Sequence, residues 1–170
     1  CSLLPFIGNF TKFKFVVIGG YAANCYTLPR FSVDCDIVLE DKKETMNISK
    51  ELEKHNYVKV DADEIESPYH GEFTRFKKNI QNNFKASIDL FAKEIIDRQT
   101  NTTFSAKWVF ENSNFRSLKG KTITEQLNVR VINLDALIVM KFISCRPTDI
   151  RDIFMLIAKT ENIDWIKKEI

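Results

Sequence analysis

Hydrophobic positions along this chain fall into two periods. A short β-branched run at 14–18, with Phe15-Val16-Val17-Ile18 closing on Gly19-Gly20, predicts a buried strand. A short helix over 20–27 is expected to open directly from that turn and to stop at Pro29. Residues 34–39 read as a second strand. Asp41-x-x-Glu44 has the form of a capping box and opens a helix to about residue 54. Residues 57–60, 72–78 and 86–91 read as strands, with a polar loop at 61–71. The spacing predicts a helical turn or two over 93–99. Strands follow at 104–110 and 129–132, separated by turn signals at 112–114 and Gly120. Asn133 caps a helix over 134–145, with Asp135 in its first turn. Pro147 starts another to about residue 158. A last helix begins near Asn162, with Ile163, Ile166 and Ile170 on one face.

This order of elements predicts an α/β (α+β) fold: a mixed β-sheet flanked by helices over 1–132, then a helical C-terminal segment over 133–170. No linker composition separates the two, so one domain over 1–170 is expected. Composition agrees. The chain has 170 residues, and 44% hydrophobic content with 14 Phe is enough for a packed core, which excludes a disordered chain. A formal charge of +2 gives no electrostatic argument for nucleic-acid binding; that would need a local basic patch. The four cysteines are far apart and form no zinc pattern. Cys25 and Cys35 lie in apolar segments and read as buried free thiols, which fits a reducing, cytoplasmic setting. No apolar run reaches the roughly 18 residues of a membrane span, and no signal-peptide pattern is seen. His55 reads as an exposed helix-end residue, His70 as a solvated loop residue, and Trp108 and Trp165 as packing residues. Asp97 and Arg98 read as a surface pair.

The chemistry is carried by three carboxylates and a glycine turn. Asp34 and Asp36 stand at i and i+2 of a strand and so share one face, with Cys35 and Ile37 on the other. Adjacent carboxylates repel unless a cation neutralises them or one stays protonated. Gly19-Gly20 allows close backbone approach and offers N–H groups to an anion. Asp89 lies in a third apolar strand, facing away from Ile88 and Leu90. If the strands pair in register, the three carboxylates converge beside the turn. That suits a two-ion phosphoryl or nucleotidyl transfer with a magnesium–nucleotide substrate. Each part also has a plainer meaning. An Asp-x-Asp strand is commonly a solvated edge, and a lone Asp in an apolar strand is commonly paired with a neighbouring Lys or Arg.

Taken in order, Gly19-Gly20-Tyr21-Ala22, Arg30-Phe31-Ser32-Val33-Asp34-Cys35-Asp36 and Asp89 resemble the motifs of nucleotidyltransferases of the DNA polymerase beta superfamily. The likeness is narrower to AbiEii-like and minimal nucleotidyltransferases. The late Met140-Lys141-Phe142 and Arg146-Pro147-Thr148-Asp149-Ile150-Arg151-Asp152 are similar to their helical motif. The likeness runs from about residue 14 to about 157. Thr148 stands where a basic residue is common, and Cys35 where Ile is common. The resemblance implies the nucleotidyltransferase fold and these roles. Asp34 and Asp36 bind two Mg2+ ions; Asp89 binds the catalytic ion and orients the acceptor hydroxyl. Gly19 and Gly20 hold the phosphates of an NTP, with Arg30, Ser32 and Lys141 around it. Asp149 and Asp152 orient Lys141 or Arg146. It also implies NMP transfer to a tRNA or protein acceptor, in a toxin–antitoxin or phage-defence system with a cognate antitoxin; an aminoglycoside-type acceptor is an alternative. Two rival functions stand beside this one. The first is a catalytically silent nucleotide-binding or antitoxin-like interaction module. The second is a metal-dependent phosphoesterase, which the absence of a histidine ligand set disfavours.

Overall fold

The computed structural model describes residues 13–28, 32, 34–60, 69–70, 72–80, 84–118 and 127–170. Arg30 and most of the 61–71 loop therefore lie outside the described residues. Val16, Val17 and Ile18 form β1 (Val16–Ile18), and all three are buried. An all-apolar triplet of this kind belongs at the centre of a sheet, covered on both faces. Helix α1 (Gly19–Ala23) follows without a break, one residue earlier than the glycine pair suggests. It closes sooner too, and the amides of Asn24 to Thr27 continue it as turns onto Gly20, Ala22 and Ala23 carbonyls.

β2 (Asp34–Leu39) matches its expected span. α2 (Lys42–Lys54) starts as a capped helix, with the Glu44 amide donating to Asp41 Oδ1 at 2.9 Å. β3 (Val58–Lys59), β4 (Tyr69–His70), β5 (Phe73–Ile80) and β6 (Phe84–Ala92) follow. β4 corrects the expectation of a loop through His70: Tyr69 and His70 pair with the 94–97 segment.

That segment is itself a correction. Residues 94–97 are not helical but form β7 (Glu94–Asp97), paired with β8 (Thr103–Ser105). The left-handed backbone of Lys93 (φ 67°) turns the chain out of β6, and Ile95 and Asp97 then alternate inward. Asp97 is buried, not half of a surface pair. It accepts from the Gln99 and Thr100 amides and from the Ser144 hydroxyl. The strand expected over 104–110 stops at Ser105, whose Oγ accepts from the Trp108 amide at 3.1 Å and starts α3 (Ala106–Glu111). Ser105 is thus the N-cap of α3. The turn expected at 112–114 is mostly strand: β9 (Ser113–Leu118) pairs residue for residue with β10 (Leu127–Ile132).

Among the described residues the main sheet has seven strands in the order β3-β5-β6-β2-β1-β10-β9, mixed in direction, with β2–β6 and β1–β10 parallel. β4, β7 and β8 form a second, three-stranded sheet. α4 (Leu134–Ser144) is capped by Asn133, which accepts from the Ala136 amide at 2.8 Å. Its Ala136 to Met140 stretch is buried all round and joins the same core as Val17 and Val131. α5 (Pro147–Ile157) and α6 (Ile163–Glu169) start where expected. On α6 only Ile166 is buried; Ile163 and Ile170 are exposed, so the apolar face is narrower than its spacing implies. Trp108 and Trp165 do pack against the core, and Cys25 and Cys35 are free thiols; Cys35 is fully buried, but Cys25 is only half-buried at the edge of the core. Among the described residues no helix is long and apolar enough to cross a membrane.

Candidate active site

Pairing register builds the site. Across β1, β2, β6 and β5, Ile18 lies opposite Asp36, Asp36 opposite Asp89, and Asp89 opposite Arg75. Two positions along the same ladder, Asp34 lies opposite Ser87. Residues at matched positions of paired strands point to the same face. The face that carries Asp34 and Asp36 therefore also carries Asp89, Ser87 and Arg75. Cys35 and Ile37, on the other face, go into the core.

Gly19 brings the backbone against this row. Its φ is +64°, a left-handed conformation, and a Cβ there would collide with Asp36 Oδ2. Both facts call for glycine. The cleft that results holds about 220 Å³ and is lined by Gly19, Gly20, Ser32, Asp34, Asp36 and Asp89 on the sheet side. Arg75, Lys141, Arg146, Thr148 and Asp149 complete it. Roomier hollows exist elsewhere, such as one of about 450 Å³ around Phe13, Phe110, Phe115 and Arg130. That one lies by Glu40 at the far end of β2 and holds none of the site carboxylates.

The polar groups of the cleft are heavily interlocked. Arg75 donates from Nε to Asp89 Oδ1 at 2.7 Å and from Nη2 to Asp89 Oδ2 at 2.5 Å. Ser87 Oγ donates to Asp34 Oδ1. Ser32 Oγ donates to the Asp34 carbonyl at 3.3 Å. Lys141 is buried near the end of α4, with Nζ 2.8 Å from Asp149 Oδ1 and 2.7 Å from Asp152 Oδ2. Arg146 Nε lies 2.6 Å from Asp149 Oδ2. Asp149 and Asp152 thus hold Lys141 and Arg146 in place, the arrangement expected from the late motif.

Burial, then the nearby charges of Asp89 and Asp34, push the Asp36 carboxyl up to about 7, against a smaller pull from Arg146 and Lys141. Burial also raises Asp89 above the usual carboxylate range, although the Arg75 hydrogen bonds oppose it.

Seven of the sequence-predicted site residues therefore line one cleft: Gly19, Gly20, Ser32, Asp34, Asp36, Asp89 and Lys141. Arg30 lies outside the described residues. Sequence reasoning missed Arg75 and Ser87. For Arg75 the signal was available in outline: an Asp in an apolar strand commonly has a basic neighbour, and Arg75 was in the adjoining predicted strand. Which basic residue it was depended on register. Ser87 shares the face of Asp89, and only the β2–β6 offset shows that it meets Asp34.

No family model matches this chain, and no curated protein matches it in sequence. Solved structures do match in shape. A candidate nucleotidyltransferase of Thermotoga maritima aligns with a TM-score of 0.54 at 12% identity, over 94% of this chain and 92% of its own. An antigenic nucleotidyltransferase-like protein of Paracoccidioides brasiliensis aligns at 0.55 and 15%, over 98% and 84%. The antibiotic-resistance factor ANT(2'')-Ia aligns at 0.59 and 12%, over 99% and 85%. The mixed sheet and its flanking helices are thus the nucleotidyltransferase fold. At these identities the likeness speaks to fold, and function is argued from the cleft.

The donor set suits a divalent cation of the magnesium type. All three carboxylates supply hard oxygen from one face of the sheet. Among the described residues, though, no three His, Cys, Asp or Glu side chains are arranged to hold one ion together. Asp89 has given both its oxygens to Arg75.

Proposed function

We propose that this chain is a magnesium-dependent nucleotidyltransferase, a single cytoplasmic domain that moves an NMP from an NTP to a hydroxyl acceptor. The observation that supports this most is the row Asp36–Asp89 beside Gly19, in a cleft walled by Lys141 and Arg146. Asp34, Asp36 and Asp89 would hold the cations, which when bound neutralise the triphosphate and polarise the acceptor hydroxyl. Gly19 and Gly20 admit the phosphates to backbone N–H groups. α1 has only five residues, so close approach counts for more here than a helix dipole. Lys141 and Arg146 supply fixed positive charge, held by Asp149 and Asp152, to the charge that builds on the departing pyrophosphate. Ligand pockets are ordinarily about 300–1,000 Å³, so a cleft of about 220 Å³ suits the phosphates and leaves base and sugar at its mouth. By the motif resemblance, the acceptor is a tRNA or protein hydroxyl, and the setting a toxin–antitoxin or phage-defence pair with a cognate antitoxin.

One observation favours a second function. With both oxygens of Asp89 taken by Arg75, the chain could bind nucleotide without turnover. Incubation with each of four α-labelled NTPs, magnesium, total tRNA and lysate separates the two. Transfer of label to an acceptor, lost in Asp34→Ala and in Asp89→Asn with the fold retained, supports the enzyme. Nucleotide binding without any transfer supports the silent module. Full activity in Asp89→Asn refutes the three-carboxylate assignment.

A further inference from the structure

The Arg75–Asp89 pair is built with more care than a surface ion pair. The two residues lie directly opposite on β5 and β6, both side chains are largely buried, and the guanidinium meets the carboxylate side-on through two nitrogens. Bidentate pairing of this kind is strong and directional. It also occupies the oxygens that Asp89 would need to join Asp34 and Asp36 around an ion. Arg75 lines the same cleft as Lys141 and Arg146, so phosphate oxygens entering there come within its reach. A guanidinium fork fits phosphate as well as it fits carboxylate.

We infer that Arg75 is a built-in counter-ion for Asp89. It releases that carboxylate to a divalent cation only when a nucleoside triphosphate offers its oxygens to the guanidinium in exchange. The inference rests on the proposed nucleotidyl transfer and adds an order of loading to it. Asp34, held on one oxygen by the Ser87 hydroxyl, and Asp36 take a cation first, and Asp89 joins only with nucleotide. Ladder pairing fixes both backbones, so the exchange is confined to the two side chains. Coupling is reciprocal: if nucleotide raises cation affinity, the cation raises nucleotide affinity by the same factor. Arg75 is on this account a positioning residue.

The test is direct Mn2+ binding, followed by the electron paramagnetic resonance signal of the free aqueous ion. The proteins are wild type, Arg75→Gln, Arg75→Lys, Asp89→Asn and the Arg75→Gln/Asp89→Asn double variant. Each is titrated with and without an NTP whose α–β bridge is a methylene. In the wild type, the analogue should tighten Mn2+ binding by roughly 5- to 150-fold, the ordinary range of such coupling. Arg75→Gln should bind tightly without the analogue, and Arg75→Lys, which keeps the charge but loses the fork, should lie between. The double variant should bind no better than Asp89→Asn. Equal or weaker Mn2+ binding in Arg75→Gln, with circular dichroism and melting intact, overturns the inference. If Arg75→Gln does not fold, an unchanged response in Arg75→Lys overturns it equally. Label transfer by the wild type alongside such a result leaves the enzyme standing and removes only the counter-ion. No Mn2+ binding in any protein, even with the analogue, overturns the enzyme and the inference together.

Discussion

Gly19→Ala adds one methyl group to the chain, and the site predicts a large effect from it. Two costs arise, and they separate. The first is backbone strain: Gly19 sits at φ +64°, where an L-residue costs about 1–2 kcal/mol. For a chain of this size 1 kcal/mol moves the melting temperature about 2–4 °C, so strain alone should lower it by about 2–8 °C. The second cost is steric: the new methyl occupies the place of Asp36 Oδ2, so the carboxylate must rotate away from Asp89 and the cleft. Misplacing a reacting group by an ångström costs on the order of 100-fold in rate. Gly19→Ala should therefore melt a few degrees low and lose about two orders of magnitude in kcat. The assays are calorimetry and α-labelled NTP transfer, with the calorimetry run also in an Asp36→Ala background. There the collision partner is gone, and only the strain should remain in the melting shift. Wild-type kcat in Gly19→Ala would refute the close approach of this turn to Asp36. An undiminished melting penalty in the Asp36→Ala background would show that strain accounts for all of it.

Two further outcomes follow from the charges. Because Asp36 titrates near 7 in the folded state, well above an unfolded aspartate, the native protein holds a proton that the unfolded chain has lost between about pH 4 and pH 7. Its contribution to stability should therefore fall as pH rises through that window in cation-free buffer. Melting curves from pH 5 to 7.5 should slope down more steeply in the wild type than in Asp36→Asn, and magnesium should flatten the difference; parallel slopes would count against it. Lys141→Met leaves Asp149 and Asp152 buried without their ammonium. Breaking one partner of such a cluster costs about 3–5 kcal/mol, or about 6–20 °C of melting temperature at this size. Adding Asp149→Asn and Asp152→Asn should recover part of that loss, and a Lys141→Met protein melting with the wild type would show that the cluster carries little stability.

What could be read in advance divides along physical lines. Elements fixed by local chemistry were legible: the Asp41 and Asn133 caps, Pro147 at a helix start, and the apolar triplet of β1 each declare themselves within a few residues. The segment from 93 to 118 was not, because its strands are short and settled by partners far along the chain. Ile95 and Ile96 suit a helix or a strand equally until β8 pairs with them. Asn112 to Asn114 carries turn chemistry, yet β10 draws Ser113 and Asn114 into a ladder. That Asp34 and Asp36 share one face was legible from strand periodicity, and that Asp89 joins them in one cleft needed the β2–β6 register. Arg75 was not, because its place opposite Asp89 depends on the β5–β6 register, which no local signal sets.

The position of β1 between β2 and β10 has a consequence for how the protein is made. Pairing with β2 is available once Leu39 has emerged from the ribosome, but the parallel partner at Leu127–Ile132 is synthesised much later. Until then one edge of Val16–Ile18 has no ladder on that side, and such an edge invites pairing with another chain. Lys141 and the carboxylates that hold it emerge later still. The cleft is thus completed only after α4 and α5 have been made, and a nascent chain truncated before α4 would carry all three strand carboxylates without the buried lysine that faces them.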